Sequence, residues 1–143
     1  MSVIESNVEM SRRALAYAEG FAGAPMQWGV DDCSMFPARW VAELLGRNVD
    51  VPSYATDGEA REIIAIHGGL ARVWSWIAGR AGIFEVEPSR VRAGDIGVIK
   101  TFASGDVGAI FIKYGTVALI RTETGFRMLG IRERNIIAAW RVA

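Results

Sequence analysis

The sequence has little of the chemistry that usually marks a cofactor or metal protein, because it contains one cysteine and one histidine in 143 residues. One cysteine excludes a disulfide within the chain, and one cysteine with one histidine is too few for the usual zinc site. No glycine-rich nucleotide motif follows a predicted strand, so we expect no cofactor and no metal. Cys33 is therefore a free thiol, either buried and inert or reactive.

The chain also lacks an excess of either charge, since 16 basic and 16 acidic residues cancel. No segment gathers Lys or Arg into a basic stripe, so nucleic acid is not an expected partner. The longest apolar runs, such as 107–112 and 136–140, are far shorter than the roughly 20 residues that cross a bilayer, and no membrane span is expected. The N-terminus has no basic leader, which predicts a protein made and first kept inside a cell.

What the sequence does contain is typical of one packed domain. Apolar residues make up 51% of the chain and charged residues 22%, a composition that argues against disorder. A chain of this length hides about two-thirds of its unfolded surface when it folds, enough for one core. Without a repeat, a low-complexity tract or a linker, residues 1–143 are predicted to form a single domain.

Helical periodicity occupies the first half of the chain. Ser6 with Glu9, and Thr56 with Glu59, have the spacing of capping boxes. Pro37 is tolerated only in the first turn of a helix, so the helix that contains it begins near Asp32 to Ser34. The apolar spacing predicts four helices that end at glycines, over about 6–20, 33–46, 57–67 and 70–79 or 82.

The second half of the chain has the periodicity of strands. Short runs rich in Val, Ile, Phe and Trp are separated by turn-prone pairs such as Tyr114-Gly115 and Thr124-Gly125. Helices followed by strands with short links indicate an α+β domain with an antiparallel sheet. The predicted strands lie in 94–100, 107–113, 116–121, 125–129 and 135–142.

Cys33 lies at the predicted start of the second helix. The helix dipole and free N–H groups there favour a thiolate, which suits a nucleophile. Free cysteine is also among the most buried residue types, so an inert thiol remains the alternative. The adjacent Asp31 and Asp32 are better explained as a helix cap and a first-turn partner of the dipole than as an acid–base pair.

Three motifs resemble those of the NlpC-type, papain-related cysteine peptidases of cell walls: WGVDDCS at 28–34, GDI at 94–96 and VG at 107–108. The resemblance implies a papain-like fold, with N-terminal helices packed on a C-terminal antiparallel sheet and Cys33 as nucleophile. It also implies four residues close to the site, which are Trp28, Asp32, Ser34 and Asp95.

A second resemblance covers nearly the whole chain. The segments DDCSMFPARW, GGL, GDIGV and AAWRV are similar to those of a family of small proteins encoded among the tail genes of tailed phages and prophages. This resemblance implies that other tail-tip or baseplate proteins are the partners, with peptidoglycan as a further candidate. It also implies a location in the host cytoplasm during assembly and then in the virion tail.

The chain departs from the peptidases at the catalytic base. Where they have His before Val-Gly, this sequence has Asp106, and a carboxylate near a thiol raises its pKa instead of activating it. The third polar residue of a triad has no obvious counterpart in the strand that ends at Arg121. His67 is the other candidate base, although its position at a helix end is better explained as capping.

Two functions follow from these patterns. The first is an interaction protein, namely a tail-tip or baseplate component with a papain-like scaffold and a degenerate site, in which Trp28 and Trp76 are the tryptophans expected to lie outside the core. The second is a cysteine peptidase or amidase that cuts peptidoglycan peptides during envelope penetration, with Cys33 as nucleophile. The missing base favours the first.

Overall fold

The computed structural model describes residues 2–142 and has the α+β architecture that the change of periodicity predicts. The helices are α1 (Val3–Glu19), α2 (Met35–Leu45), α3 (Asp57–His67) and α4 (Leu70–Ala81). The strands are β1 (Phe84–Val86), β2 (Ile96–Thr101), β3 (Gly105–Ile112), β4 (Val117–Thr122), β5 (Gly125–Gly130) and β6 (Ile136–Arg141). Within these described residues, no helix is both long and apolar enough to cross a membrane.

The six strands form one sheet in the order β1-β6-β2-β3-β4-β5, and every pair of neighbours is antiparallel. Alternate residues of β2 and β3 bury on opposite faces because side chains alternate along a strand. Val98 and Ile110 pack in the core shared with the helices, whereas Ile99 and Phe111 pack in a second cluster on the other face. Both strands therefore read as nearly continuous apolar runs.

The first helix begins earlier than predicted. The hydroxyl of Ser2 accepts a hydrogen bond from the Glu5 N–H, so Ser2 is the N-cap, and Ser6 and Glu9 lie inside α1. Ser2 and Glu5 have the same spacing as Ser6 and Glu9, and the earlier cap wins because it adds a turn of helix. The predicted cap of α3 is confirmed, since the Thr56 hydroxyl accepts from the backbone N–H of the residue three positions on.

The five predicted strands are found within two residues of their expected positions. Strand β1 was not predicted, because three residues, Phe84 to Val86, are too few to show an alternating pattern. It pairs with β6 alone and so lies at one edge of the sheet, with β5 at the other edge. The ends of β3, β4 and β5 near Asp106 and Arg121 help to form the candidate site.

Candidate functional site

A cleft of about 480 Å³ lies between the loop before α2, one face of α3 and the ends of strands β3 to β5. Its walls are mostly apolar, with charged side chains of both signs among them. Five of the site residues expected from the sequence line it, which are Trp28, Asp32, Cys33, Ser34 and Asp106. The remaining two, His67 and Asp95, are not among the described residues that line the cleft.

The thiol of Cys33 lies in the turn two residues before α2 and is partly buried. Burial, and after it the negative charge of Asp32, raise its pKa to about 11. Hydrogen bonds from the Gly108 N–H and the Ser34 side chain act the other way, because they stabilise the thiolate. The effects of burial and of the Asp32 carboxylate on the pKa are larger than those of the hydrogen bonds, so the thiol stays protonated at neutral pH.

Asp32 holds the loop that carries the thiol. One carboxylate oxygen accepts hydrogen bonds from the N–H groups of Ser34 (2.9 Å) and Met35 (3.1 Å) and from the Tyr54 hydroxyl (2.8 Å). The other accepts from the Gly29 N–H at 2.7 Å. Asp32 is 1% exposed, so this carboxylate replaces water as the acceptor for four donors. The N-cap residue of α2 is Ser34 and not an aspartate, because the helix begins at Met35, but Asp32 does accept from the N–H groups at the helix start, as the capping interpretation expected.

Asp31 does not act at the helix start but pairs with Arg121, at 3.1 Å. The guanidinium of Arg121 is fully buried and also donates to the carbonyl oxygens of Thr122 and Gly125, at 2.9 and 2.7 Å. Asp31 was expected to support the dipole of α2, but it lies four residues before that helix begins, and a buried cation is a stronger partner. The pair joins the Cys33 loop to β4 and β5.

Gly108 allows strand β3 to approach the Cys33 loop closely. A Cβ atom at position 108 would lie 2.5 Å from the carbonyl oxygen of Cys33 and 3.1 Å from the Pro37 ring. Asp106 precedes Gly108 by two residues, so the two residues face the same side of β3. Asp106 lines the cleft. A shift of β3 by one residue would turn Asp106 to the opposite face of the sheet, and the observed pairing with β2 does not have that shift.

Gly108→Ala is expected to lower the free energy of unfolding by about 1 to 3 kcal/mol, because the new methyl group meets backbone that has no free space. Gly130→Ala is the matched control, since a Cβ atom there meets nothing within 4 Å. Urea denaturation followed by tryptophan fluorescence measures both. Equal midpoints for the two variants would show that β3 and the Cys33 loop do not pack as described.

His67 lies at the C-terminal end of α3, where its Nδ1 atom is 2.9 Å from the carbonyl oxygen of Ile63. Its ring packs edge-on against Trp76, with the centroids 6.3 Å apart. These contacts are those of a histidine that caps a helix, as the sequence position suggested. Trp76 is 39% exposed, whereas Trp40 and Trp74 are buried in the core.

Asp95 lies at the opposite end of the β2–β3 hairpin from Asp106. It is buried, and its two carboxylate oxygens accept from the Arg141 guanidinium at 2.9 and 2.8 Å and from the Arg92 N–H at 2.8 Å. Asp95 lines a separate cavity of about 170 Å³. The expectation that it adjoins the site is not met, because antiparallel pairing puts the start of β2 beside the end of β3.

Several residues that line the cleft were not predicted from the sequence. Tyr54 left no signal, because it lies in a loop without periodicity. Arg121 did have a sequence signal, because it follows Val117 and Leu119 at every second position, and those two residues face the core. A charged side chain in such a position needs a buried partner. The other missed charged residues of the lining are Asp57, Arg61, Glu123 and Arg127. Among residues 2–142 there is no cluster of three or more His, Cys, Asp or Glu side chains that could hold a metal ion.

Comparison with known proteins gives one family. The family described as a domain of unknown function, DUF6950, matches residues 8–142, which include the Cys33 loop, every residue of the cleft lining and all six strands. No curated protein matches the chain. Because the match covers nearly the whole sequence, the chain belongs to the DUF6950 family.

Proposed function

We propose that this protein is a structural and interaction component of a phage tail tip or baseplate, built on an NlpC-like, papain-related scaffold whose peptidase site is degenerate. The sequence motifs around Cys33 and the order of helices before an antiparallel sheet support the scaffold. In this proposal the protein assembles in the host cytoplasm, is then carried in the virion tail, and binds neighbouring tail proteins.

The protonated state of Cys33 carries the proposal. With a pKa of about 11, only about one thiol in ten thousand is ionised at pH 7. A cysteine peptidase needs a thiolate held by a nearby cation, usually an imidazolium. Here the charged side chain that shifts the pKa of Cys33 is the carboxylate of Asp32, and a carboxylate repels a thiolate.

The cleft itself is suited to binding. Trp28, Ile64 and Ile120 give it apolar walls, and charged side chains of both signs surround them. Apolar walls with a few polar groups are typical of sites that bind a side chain or a short peptide segment. The cleft is thus retained as a docking site for protein, while the chemistry of peptide hydrolysis is lost.

The test is the rate at which Cys33 reacts with iodoacetamide in the folded protein, measured from pH 7 to pH 11. We expect the rate to rise about tenfold for each pH unit up to about pH 10 and less steeply above it, because the rate follows the thiolate fraction. His67→Ala should leave the profile unchanged. A reference thiol, placed at the exposed position of Ile66 in the Cys33→Ser background, should level off near a pH of about 8.5.

A different profile would support the peptidase. If the Cys33 rate levels off well below pH 8.5, and His67→Ala moves that midpoint upward, the thiol is activated and His67 is its base. Release of new amino groups from peptidoglycan peptides, abolished by Cys33→Ala, would then establish the hydrolase and overturn the proposal.

A further inference from the structure

The cavity that Asp95 lines, at the opposite end of the β2–β3 hairpin from Asp106, contains a buried side chain with free hydrogen-bond donors. Asn7 of α1 is 5% exposed and lines this cavity of about 170 Å³. Its Oδ1 atom accepts from the Ala93 N–H at 2.8 Å, whereas its Nδ2 atom has no hydrogen-bond partner within residues 2–142. The amide oxygen is therefore in use and the amide nitrogen is free.

The free nitrogen of Asn7 faces the cavity. Among the described residues, Trp74 Nε1 is the one enclosed side-chain nitrogen or oxygen atom without a hydrogen bond, so Asn7 Nδ2 must contact open space. Asn7 is almost completely buried, and the cavity is the open space that it lines. A buried amide is normally paired, so two N–H groups that point into a cavity indicate a place for an acceptor.

The polar lining of this cavity has more free donors than free acceptors. In the described part of the chain, the Arg92 side chain has no hydrogen bond or ion pair, and the Nη1 atom of Arg141 is free. Both Asp95 oxygens accept from Arg141, and the Gly94 carbonyl oxygen accepts from the Trp40 Nε1–H at 2.9 Å. Since Asp95 and Arg141 cancel in charge, Arg92 leaves the lining with one net positive charge.

Apolar side chains complete the lining of the cavity. They are Val3, Met10, Leu44, Ala93 and Val142. An inorganic anion would leave these side chains against water, whereas a ligand with a short aliphatic chain would cover them. The volume of about 170 Å³ holds several water molecules, which is room for an acid of about six non-hydrogen atoms.

We propose that this cavity binds the carboxylate of a short aliphatic acid, which is either a free acid or the last residue of a peptide chain. Asn7, Arg92 and Arg141 donate to the carboxylate oxygens, and the aliphatic part packs on the apolar lining. A carboxylate supplies the acceptors and the negative charge that the lining lacks. The inference is independent of the proposed function, because no residue lines both this cavity and the Cys33 cleft.

The first measurement is a titration of the isotope-labelled protein with butyrate, followed by NMR. We expect the side-chain amide signals of Asn7 and the backbone N–H signals of Ala93 and Gly94 to shift, with a dissociation constant on the order of 1 mM, as a ligand of so few atoms permits. Butyramide, which has the same shape without the charge, should leave these signals unchanged. No shift with butyrate, or equal shifts with butyramide, overturns the proposal. Equal affinity for inorganic phosphate also overturns it, because the apolar lining then plays no part.

A second titration distinguishes the two sources of the carboxylate. N-acetylvaline carries the carboxylate, the amide and the side chain of a peptide end. Binding of N-acetylvaline that is tighter than that of butyrate assigns the cavity to a chain end, and weaker binding assigns it to a free acid.

Variants of the lining test which residues hold the carboxylate. Arg92→Met is expected to weaken butyrate binding about tenfold or more and to leave the urea midpoint unchanged, because the Arg92 side chain bonds to no other described residue. Arg90→Met is the matched control, since Arg90 is exposed but does not line the cavity. Asn7→Asp keeps an oxygen that accepts from Ala93 but replaces the free N–H groups with a negative charge, and it should abolish binding. Equal affinity of Arg92→Met and Arg90→Met, or binding by a folded Asn7→Asp, contradicts the proposal.

Discussion

Replacing Asp32 with alanine is expected to lower the free energy of unfolding by about 3 to 5 kcal/mol. The carboxylate is buried and accepts from three backbone N–H groups and from the Tyr54 hydroxyl. Removing it leaves four donors without their acceptor, and the loop that begins α2 loses its cap. Urea denaturation followed by circular dichroism measures the loss.

The matched control for Asp32→Ala is Asp57→Ala. Asp57 lines the same cleft, but its ion pair with Arg61 is largely exposed, and such pairs contribute less than about 1 kcal/mol. Asp32→Asn should be intermediate, because the amide keeps one acceptor oxygen. If Asp32→Ala and Asp57→Ala have the same stability, the hydrogen bonds of Asp32 do not hold the loop.

Arg121→Met is expected to lower the free energy of unfolding by about 3 to 5 kcal/mol, because it leaves Asp31 without the cation that compensates its charge. Methionine keeps the length and the apolar stem of the arginine side chain, so the loss reports the guanidinium. That group also donates to the carbonyl oxygens of Thr122 and Gly125. The same denaturation experiment measures the change.

Two further variants test the reason for this loss. Arg61→Met removes an exposed guanidinium from the same cleft and should change stability by less than about 1 kcal/mol. Adding Asp31→Asn to Arg121→Met should restore part of the stability, because it removes the uncompensated charge. If the double variant is no more stable than Arg121→Met alone, the charge on Asp31 is not the cause.

The fold class followed from periodicity, since four helical stripes and five of the six strands were found close to their predicted positions. These elements bury one face or both, and burial of a face imposes a period on the sequence. The order of the strands in the sheet did not follow from periodicity. Strand β6 lies between β1 and β2, and no local pattern encodes which distant strands pair.

The candidate site was predictable where a chain segment carries all of its parts. Trp28, Asp32, Cys33 and Ser34 lie in seven consecutive residues, and their common placement follows from the chain. Asp106 was predicted to lie near them from the Val-Gly motif at 107–108, but the sequence does not show which face of β3 the Asp106 side chain takes. Asp95 came from a similar motif and lies elsewhere, because the two ends of an antiparallel hairpin are far apart.

The direction of the Cys33 pKa needed the structure. Position before a helix favours a low pKa for Cys33, whereas a carboxylate in the place of the catalytic base favours a high one, and the sequence cannot weigh the two. The packing of β3 against the loop buries the thiol, and Asp32 turns inward beside it, so the pKa rises to about 11. Desolvation and a fixed negative charge outweigh the dipole at the helix start.

The class of fold, the single free thiol and the segment around it follow from the sequence, because composition and local periodicity are properties of the chain. The pairing of Arg121 with Asp31 and the hydrogen bond from Tyr54 to Asp32 depend on the packed structure. Those relations join residues that are far apart in sequence. They exist only once the sheet and the helices pack against each other.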